Sequence, residues 1–304
     1  MKNVLVTGVS GFVGTNLVSY FKGHKEIAVF GHSRNEVVDV KQLTDWSAST
    51  LNRSKIDVVI HLAGIAHDLS NQYKPEDYYQ VNYQGTKKVV DEVLKSDTSK
   101  FIYISSIKAA CDTSSIPADE TMKPNPVTDY GKSKLKAEEY IQSKAWAQGK
   151  SFYILRPGMI HGRGNKGNLN LLYRFVKSGT PFPFGAFRNQ RSFLSIDNFC
   201  FVVQSLIEKE ITSGVYHIAD DGFLSTVELY RLISEATGKK PSVWNVPAKL
   251  IEGLAALVGK KSMISKLTED MMISNKKIGD ALRSSLPMSL KQGLEKTIRS
   301  FDGN

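Results

Sequence analysis

Two side chains in the middle of the sequence have the types and the spacing needed for proton transfer. Tyr130 and Lys134 stand four residues apart in a helical pattern that begins near Asp129, so both project from one face of a helix. A phenol, with an ordinary pKa of about 10, is a poor base at neutral pH, but a nearby ammonium favours the phenolate. Tyr130 could therefore exchange a proton with a substrate hydroxyl. Tyrosine and lysine also form a common pair at this spacing on surface helices, so the pair alone does not distinguish a catalytic role from an ordinary surface contact.

A serine at the end of a neighbouring strand could share this chemistry. The apolar run Phe101-Ile102-Tyr103-Ile104 is typical of a buried strand and leads directly into Ser105-Ser106. The Ser106 hydroxyl could hydrogen-bond the same substrate oxygen and hold it in line for proton transfer. The six histidines are scattered, with no His-Glu-x-x-His motif and no Cys/His cluster, so we predict no metal site.

A glycine-rich stretch at the N-terminus could hold a dinucleotide. Thr7-Gly8-Val9-Ser10-Gly11-Phe12-Val13-Gly14 follows the apolar strand Val4-Leu5-Val6 and opens a helical pattern. Glycine allows a sharp turn and close approach of a pyrophosphate, and the helix that begins near Phe12 directs free N–H groups at the phosphates. The spacing is Gly-x-x-Gly-x-x-Gly instead of Gly-x-Gly-x-x-Gly, but its place after a first strand favours a dinucleotide site.

The turn after the second predicted strand bears on the choice of cofactor. Ile27 to Phe30 is followed by Gly31-His32-Ser33-Arg34. An acidic residue at this place binds a ribose hydroxyl of NAD, whereas an arginine accommodates the 2′-phosphate of NADP. No carboxylate stands at the expected place, so we favour NADP slightly over NAD, with Ser33 and Arg34 as candidate phosphate ligands. An ordinary exposed loop arginine explains Arg34 about as well.

Strand and helix patterns alternate from residue 3 to residue 156, which predicts an α/β fold, a Rossmann-type doubly wound parallel sheet. Val58-Val59-Ile60 is a buried strand that ends in His61-Leu62-Ala63-Gly64, where small residues let a cofactor lie against the backbone. His61 by itself is typical of a hydrogen-bonded core histidine. Residues 76–95 predict an amphipathic helix that carries Asn82.

The alternation breaks down in the second half of the chain. Helix patterns mix there with short strands near Ser192 and from Val215 to Ile218, which predicts a smaller α+β lobe over the carboxyl edge of the sheet. We therefore divide the chain into a dinucleotide-binding domain, residues 1–157, and a substrate-binding lobe, residues 158–304, with the chain crossing back between the two.

Composition excludes several classes of protein. The 304 residues carry a net charge of +10, but the basic residues are spread out and no nucleic-acid motif accompanies them, so we expect no nucleic-acid partner. Two cysteines are too few for a disulfide framework. No apolar run approaches the roughly 18 residues of a membrane span, and a strand begins at residue 3, so we expect a soluble cytoplasmic protein.

The apolar helix from Leu250 to Val258, flanked by Lys249, Lys260 and Lys261, could make weak peripheral contact with a membrane, although such a stripe more often belongs to a core.

Taken together, these motifs resemble the extended short-chain dehydrogenase/reductase family, in its nucleotide-sugar epimerase and reductase branch. The resemblance covers almost the whole chain and implies that Ser106, Tyr130 and Lys134 form the catalytic triad. It also implies a set of residues lining the cofactor, with Asp39 facing the adenine. With the turn residues named above, this set is Gly8, Ser10, Gly11, Phe12, Val13, Gly14, Ser33, Arg34, Asp39, Val40, Leu62, Ala63, Gly64, Asn82, Tyr130, Lys134 and Pro157.

The second half resembles the substrate lobe of the same family. Asn168 and Leu169 resemble the pair that meets the sugar diphosphate, and Phe182-Pro183-Phe184 resembles the segment that packs on uracil. Arg191 matches the arginine that clamps the diphosphate, since a fork of donors suits phosphate oxygens. A second diphosphate arginine, expected near residues 262–272, is not evident.

The resemblance also narrows the reaction. Dehydratases of this family place an Asp-Glu pair directly after the catalytic hydroxyl, whereas Ser106 is followed by Ile107-Lys108-Ala109. Hydride transfer at C4 of a diphosphate-linked hexose or N-acetylhexosamine remains, by a 4-epimerase or a 4-ketoreductase, as in bacterial surface-polysaccharide synthesis. The carrier could be UDP or a polyprenyl diphosphate. A non-catalytic NADP(H)-sensing regulator is the alternative class, but such proteins commonly lose the Tyr/Lys pair. Helices at residues 76–95 and 130–148 form a dimer interface in many relatives, so we expect a homodimer.

Overall fold

Parallel strands form the centre of the molecule, whose computed structural model describes residues 1–34, 37–38, 40–65, 73–165, 167–257, 264 and 267–301. The strands are β1 (Lys2–Thr7), β2 (Ile27–His32), β3 (Lys41–Gln42), β4 (Val58–His61), β5 (Lys100–Ile104), β6 (Ser114–Ala118), β7 (Ser151–Pro157), β8 (Met159–His161), β9 (Phe193–Ser195), β10 (Gly214–Ile218) and β11 (Met271–Ile273). Seven of them form one parallel sheet in the order β10-β7-β5-β4-β1-β2-β3. The strand order reverses between β1 and β4, which is where doubly wound sheets bind their ligands.

Helices cover both faces of this sheet. They are α1 (Phe12–Phe21), α2 (Ala48–Arg53), α3 (Pro75–Tyr78), α4 (Thr86–Lys95), α5 (Asp129–Gln142), α6 (Asn168–Lys177), α7 (Ile196–Glu208), α8 (Thr226–Ala236), α9 (Ala248–Leu257), α10 (Lys276–Leu282) and α11 (Leu290–Ser300). A π-helical segment, Tyr79–Gly85, joins α3 to α4, and a 3₁₀ turn, Ile107–Ala109, follows β5. The predicted Rossmann-type fold is confirmed.

Burial on both faces of the sheet explains why β1 is apolar along its length. Val4 and Val6 face one side of the sheet and pack in a cluster with residues of α1 and α7. Leu5 faces the other side, in a cluster with residues of α4 and α5. All three side chains are completely buried. A strand covered on both faces needs apolar residues at every position, so the alternation seen in half-exposed strands is absent.

The prediction that Val215 to Ile218 belongs to the smaller lobe is wrong. These residues lie in β10, which pairs with β7 in the main sheet, Val215 opposite Ile154. The helix before it, α7, packs on α1 against the same sheet, with Phe199 fully buried in that cluster. A short apolar strand carries no local signal of which sheet it joins, so only the tertiary structure reveals that the chain returns to the first domain.

The remaining elements form the smaller lobe. Strands β8 and β9 pair with each other, as do β6 and β11. Helices α6, α8 and α11 bury a separate apolar cluster that contains Leu172, Ile233 and Leu294. The predicted apolar helix from Leu250 corresponds to α9, on which Leu250 and Leu257 are exposed, while Val258, Lys260 and Lys261 lie outside the described residues. Among the residues described, no helix is both long and apolar enough to cross a bilayer.

Candidate active site

The glycine turn after β1 packs directly against the loop after β4. Gly8 has φ of +72°, a left-handed conformation that favours glycine, and a Cβ there would lie 2.8 Å from the Ala63 Cα. Helix α1 then begins at Phe12 after Gly11, with no side-chain cap and no acidic residue in its first turn. Its first N–H groups and its positive dipole end are therefore available to an anion.

The start of a second helix, α6, lies near the start of α1, and both line one cavity. The N-cap Gly167 gives α6 no side-chain cap, and its first turn holds no acidic residue. The cavity has a volume of about 650 Å³ and is lined from both helix starts and from β8 by Ser10, Gly11, Phe12, Thr15, Met159, Ile160, Gly164, Asn165, Gly167 and Asn168. Two helix N-termini around one space favour negatively charged ligands such as diphosphates.

Asn82 holds the loop that follows β4. It is completely buried in the π-helical segment, accepts a hydrogen bond from the Ile65 N–H at 2.8 Å and donates one to the Ile65 carbonyl at 3.0 Å. Its amide also donates to the Ser133 hydroxyl at 3.1 Å. The predicted helix over residues 76–95 is thus interrupted, because the wider π turn places Asn82 against the loop; single π turns of this kind often occur at functional sites. Leu62, Ala63 and Gly64 lie in the loop that Asn82 holds.

His61 lies inside the protein as the sequence indicated. Its Nδ1 is 2.6 Å from the Thr7 hydroxyl and its Nε2 is 3.1 Å from the Thr86 hydroxyl. Burial, with a smaller contribution from the charge of Lys134, lowers the pKa of His61 to about 3. The ring is therefore neutral at physiological pH and links β1, β4 and α4.

Ser106 and Tyr130 meet at the carboxyl edge of the sheet. Thr128 caps the N-terminus of α5 by accepting a hydrogen bond from the Gly131 N–H. A Cβ on Gly131 would lie 2.3 Å from the Lys108 carbonyl oxygen, so the glycine lets the first turn of α5 contact the turn after Ser106. The Ser106 hydroxyl lies beside the Tyr130 phenol, close enough to act on its pKa. A phenol and a hydroxyl placed in this way can both form hydrogen bonds to one oxygen of a substrate.

Lys134 is buried beneath this pair. Its ammonium donates to the Ile104 carbonyl at 2.9 Å and lies 4.9 Å from the centre of the Tyr103 ring. Burial lowers the pKa of Lys134 to about 8, and the charge of Glu138 opposes that fall. Burial raises the pKa of Tyr130, and the hydrogen bond from Ser106 opposes that rise. The Lys134 ammonium is directed at the Ile104 carbonyl, and Ser106 is the group that opposes the rise in the Tyr130 pKa. That Lys134 also favours the phenolate remains a prediction.

The remaining cofactor residues predicted from the sequence have varied surroundings. Arg34 is exposed in the turn after β2, beside Ser33, while Asp39 lies outside the described residues. The side chain of Val40 packs against Gly31, Val13 packs on the core from the first turn of α1, and Pro157 is buried at the end of β7. Within the described part of the chain, no three His, Cys, Asp or Glu side chains are arranged to hold a metal ion.

The predicted substrate residues separate into two groups. Asn168 is exposed at the start of α6 and lines the cavity. Arg191 lies just before β9, and Phe193 of β9 pairs with the cavity residue Met159. The Arg191 guanidinium donates a hydrogen bond to the Glu269 carbonyl at 2.9 Å. Leu169 and Phe182, in contrast, are buried in the core of the lobe.

Phe182 offers no open ring face, because it stacks on Tyr230 with ring centres 4.6 Å apart. Phe184 is half-buried beside it. Of the two phenylalanines, only Phe184 could therefore contact a ligand with its ring in this conformation.

Sequence reasoning missed a buried charged group next to the triad. Glu138 and Arg156 form a salt bridge with both side chains buried, and the Ser105 hydroxyl donates to the same carboxylate. Two signals were available. Glu138 continues the face of Tyr130 and Lys134 by one more turn, and Arg156 is a charged residue in an apolar strand pattern.

The site fits a nicotinamide dinucleotide on its own geometry, since the glycine turn, the uncapped start of α1 and the loop held by Asn82 converge at the strand-order reversal. A family model described as the NAD dependent epimerase/dehydratase family matches residues 4–219. The chain is 29% identical over 316 residues to a UDP-glucose 4-epimerase of Vibrio cholerae, covering 99% of this chain and 95% of the relative.

Two further proteins are similar over nearly their whole length. An N-acetyl-alpha-D-glucosaminyl-diphospho-ditrans,octacis-undecaprenol 4-epimerase of Escherichia coli O157:H7 is 28% identical over 318 residues, covering 98% of this chain and 94% of the relative. The crystal structure of a UDP-N-acetylglucosamine 4-epimerase from Bacillus cereus has a TM-score of 0.79 at 21% identity, covering 98% of this chain and 99% of the other. The structural likeness shows a shared fold.

Replacing Asn82 by Ala tests whether it serves the nucleotide or only the fold. Asn198 is a matched control, since it is also fully buried and holds the Met288 backbone through both its amide atoms. We expect each alanine variant to lose about 1–3 kcal/mol of unfolding free energy. Only Asn82→Ala should also bind NAD more weakly, by about tenfold in calorimetric titration. Equal NAD affinity in the two variants would contradict this.

Lys134→Met should stabilise the protein while removing its activity. The buried ammonium costs free energy because its folded pKa, about 8, lies below its ordinary value of 10.5. At pH 7 the variant should gain about 2 kcal/mol in unfolding free energy, after loss of the Ile104 hydrogen bond is subtracted. The wild type itself becomes more stable as the pH rises from 8 to 10.5, because its folded state then binds fewer protons than its unfolded state. The difference in unfolding free energy between the variant and the wild type should therefore shrink over that range. Chemical denaturation at several pH values measures this; a variant less stable at pH 7 would refute it.

Proposed function

Because the chain belongs to the NAD dependent epimerase/dehydratase family, we propose that it is a 4-epimerase that moves a hydride at C4 of a diphosphate-linked sugar. The family resemblance drawn from the motifs is thereby confirmed. The observation that carries the proposal is the placement of Tyr130 beside Ser106, at the carboxyl edge of the sheet, with the buried Lys134 beneath them. The two relatives that cover the chain almost completely are both named 4-epimerases, which supports epimerisation over a one-way ketoreduction.

The roles of the triad follow from its geometry. A bound nicotinamide supplies the acceptor and donor of the hydride. Tyr130 removes the proton of the C4 hydroxyl and later returns it, and Ser106 hydrogen-bonds the same oxygen and aligns it. Lys134 keeps a positive charge close to the reacting phenol.

The substrate diphosphate is proposed to lie at the 650 Å³ cavity, where the start of α6 offers Asn168. Arg191 would bind its oxygens from the neighbouring strand. UDP is the carrier that we propose first. A polyprenyl diphosphate is the second candidate, because Trp244, Leu250 and Leu257 are exposed apolar side chains on the lobe that binds the substrate.

The choice of cofactor and the domain division belong to the same proposal. The family description names NAD, and an epimerase that regains its hydride needs no NADPH supply, so we propose NAD as the resident cofactor. The exposed Arg34 would then be an ordinary loop residue, which is the alternative to a 2′-phosphate ligand that the sequence left open. Residues 1–157 hold the dinucleotide and residues 158–304 the substrate, apart from α7 and β10, which return to the sheet.

A homodimer through α4 and α5 is a further part of the proposal. The π-helical segment before α4, α5 and the residues just after α5 present a face of aromatic rings and lysines. In this face Lys136 lies 4.7 Å from the centre of the Tyr83 ring, and Lys144 lies 4.1 Å from the centre of the Tyr140 ring. Aromatic residues are enriched in protein interfaces. Light scattering should give a mass of twice 33.8 kDa; a monomer at working concentration would exclude this arrangement.

Tyr130→Phe tests the catalytic assignment. The variant keeps the ring and loses only the hydroxyl that carries the proton, so interconversion of UDP-glucose and UDP-galactose, or of their N-acetyl forms, should fall by at least about a hundredfold. Binding of NAD should stay within about threefold, because the phenol is assigned to the substrate proton. Chromatography of the sugar nucleotides measures the first and calorimetry the second. Turnover close to that of the wild type would remove Tyr130 from its role.

A further inference from the structure

A buried carboxylate lies on the same face of α5 as the two catalytic side chains. Glu138 follows Lys134 by one helical turn and Tyr130 by two, and it is completely buried. The proposed reaction assigns it no step. An unpaired buried carboxylate is very costly, so its partners indicate what it does.

The partners of Glu138 come from the strand ends around the triad. The Arg156 side chain, at the end of β7, donates to the carboxylate through Nε at 3.0 Å and Nη2 at 2.5 Å. The Ser105 hydroxyl donates to it from the end of β5. Arg156 Nη1 in turn lies 3.3 Å from His217 Nε2, and His217 Nδ1 lies 3.1 Å from the Ala118 carbonyl. The carboxylate thus joins α5 to β5 and β7, and through His217 to β6.

We propose that Glu138 is a positioning residue for the reaction: it holds a buried negative charge one helical turn from the Lys134 ammonium and fixes α5 against the strand that ends in Ser106. The inference rests on the proposed function, because it acts through Lys134 and Ser106. Glu138 itself touches neither substrate nor cofactor in this account.

The first part of the proposal is electrostatic. Lys134 is almost completely buried, and Glu138 lies one helical turn away on the same buried face of α5, where its charge opposes loss of the Lys134 proton. Burial raises the pKa of Glu138, and the Arg156 guanidinium opposes this rise. The Arg156 and Ser105 donors stabilise its ionised form.

The second part of the proposal is geometric. Ser105 precedes Ser106 directly, and its N–H donates to the Leu155 carbonyl at 2.8 Å. A carboxylate that binds Ser105 and Arg156 therefore fixes the end of β5 relative to the helix that carries Tyr130. Small displacements of such groups lower rates strongly, because proton transfer needs hydrogen-bond distances.

Other titratable or charged groups surround the pair. Those that face Lys134 or Glu138 from neighbouring elements are His61 on β4, Tyr103 on β5, Arg156 on β7 and, beyond Arg156, His217 on β10. His61 and His217 both have pKa values lowered chiefly by burial, so neither adds a charge near neutral pH.

The experiment titrates Lys134 directly, with lysine labelled with carbon-13 at Cε and the Lys134 signal identified by its loss in Lys134→Met. In the wild type we expect a midpoint near pH 8. In Glu138→Gln it should fall by about two pH units, the size that Coulomb's law gives for a charge one helical turn away at an effective dielectric constant of about 20. Lys134 would then be mostly neutral at pH 7.

Two further variants separate charge from stability. Glu138→Gln leaves Arg156 buried without its partner and could unfold, whereas Glu138→Gln with Arg156→Gln removes both charges and avoids that cost. The midpoint of Lys134 should still fall in the double variant, because Glu138, one helical turn away, acts on Lys134 more strongly than the Arg156 charge does. Lys100→Met is the matched control: it removes a buried lysine whose ammonium caps the end of α7, at 2.8 Å from the Lys209 carbonyl, far from Lys134 in sequence. It should lower the melting temperature without moving the midpoint.

An unchanged Lys134 midpoint in a folded Glu138 variant would overturn the inference and leave Glu138 a purely structural residue. The titration needs neither sugar nor nucleotide. Its failure is therefore distinguishable from failure of the proposed function, which Tyr130→Phe tests by turnover.

Discussion

The salt bridge between Glu138 and Arg156 is the interaction around which the candidate active site is arranged. Both side chains are buried, where an isolated charge would cost several kcal/mol. Removing one partner should therefore be far more damaging than replacing both. The pair joins the helix that carries Tyr130 and Lys134 to the ends of β5 and β7. Ser106 and Tyr130 can meet because these elements are held at fixed positions.

The proposed reaction places two requirements on the groups around this salt bridge. In the proposed reaction a phenol must lose a proton near neutral pH, and a diphosphate must be held without blocking the reacting carbon. Burial opposes the first, since it raises the pKa of Tyr130 and lowers that of Lys134; the Ser106 hydrogen bond and the Glu138 charge act in the opposite directions. The second is addressed by two uncapped helix starts, which attract anions without placing a charged side chain at the reacting centre.

Local patterns predicted much of this arrangement. The glycine turn and the Tyr130 and Lys134 spacing depend only on neighbouring residues, so both the Rossmann-type sheet and the shared helix face could be read from the sequence. What failed depends on distant contacts. Residues Val215 to Ile218 join the main sheet, the helix around Asn82 widens to hold the loop at Ile65, and Phe182 stacks into the core. Glu138 was missed because a lone charged residue on a helix is usually solvated.

The most direct measurement is to denature the freshly purified protein and identify the nucleotide that it releases. A 4-epimerase returns its hydride within one catalytic cycle and has no need to exchange its cofactor. The account therefore predicts tightly held NAD, close to one molecule for each chain. A protein that releases no nicotinamide nucleotide and then takes up NADPH in preference to NAD would contradict the epimerase assignment and favour a 4-ketoreductase that consumes its cofactor.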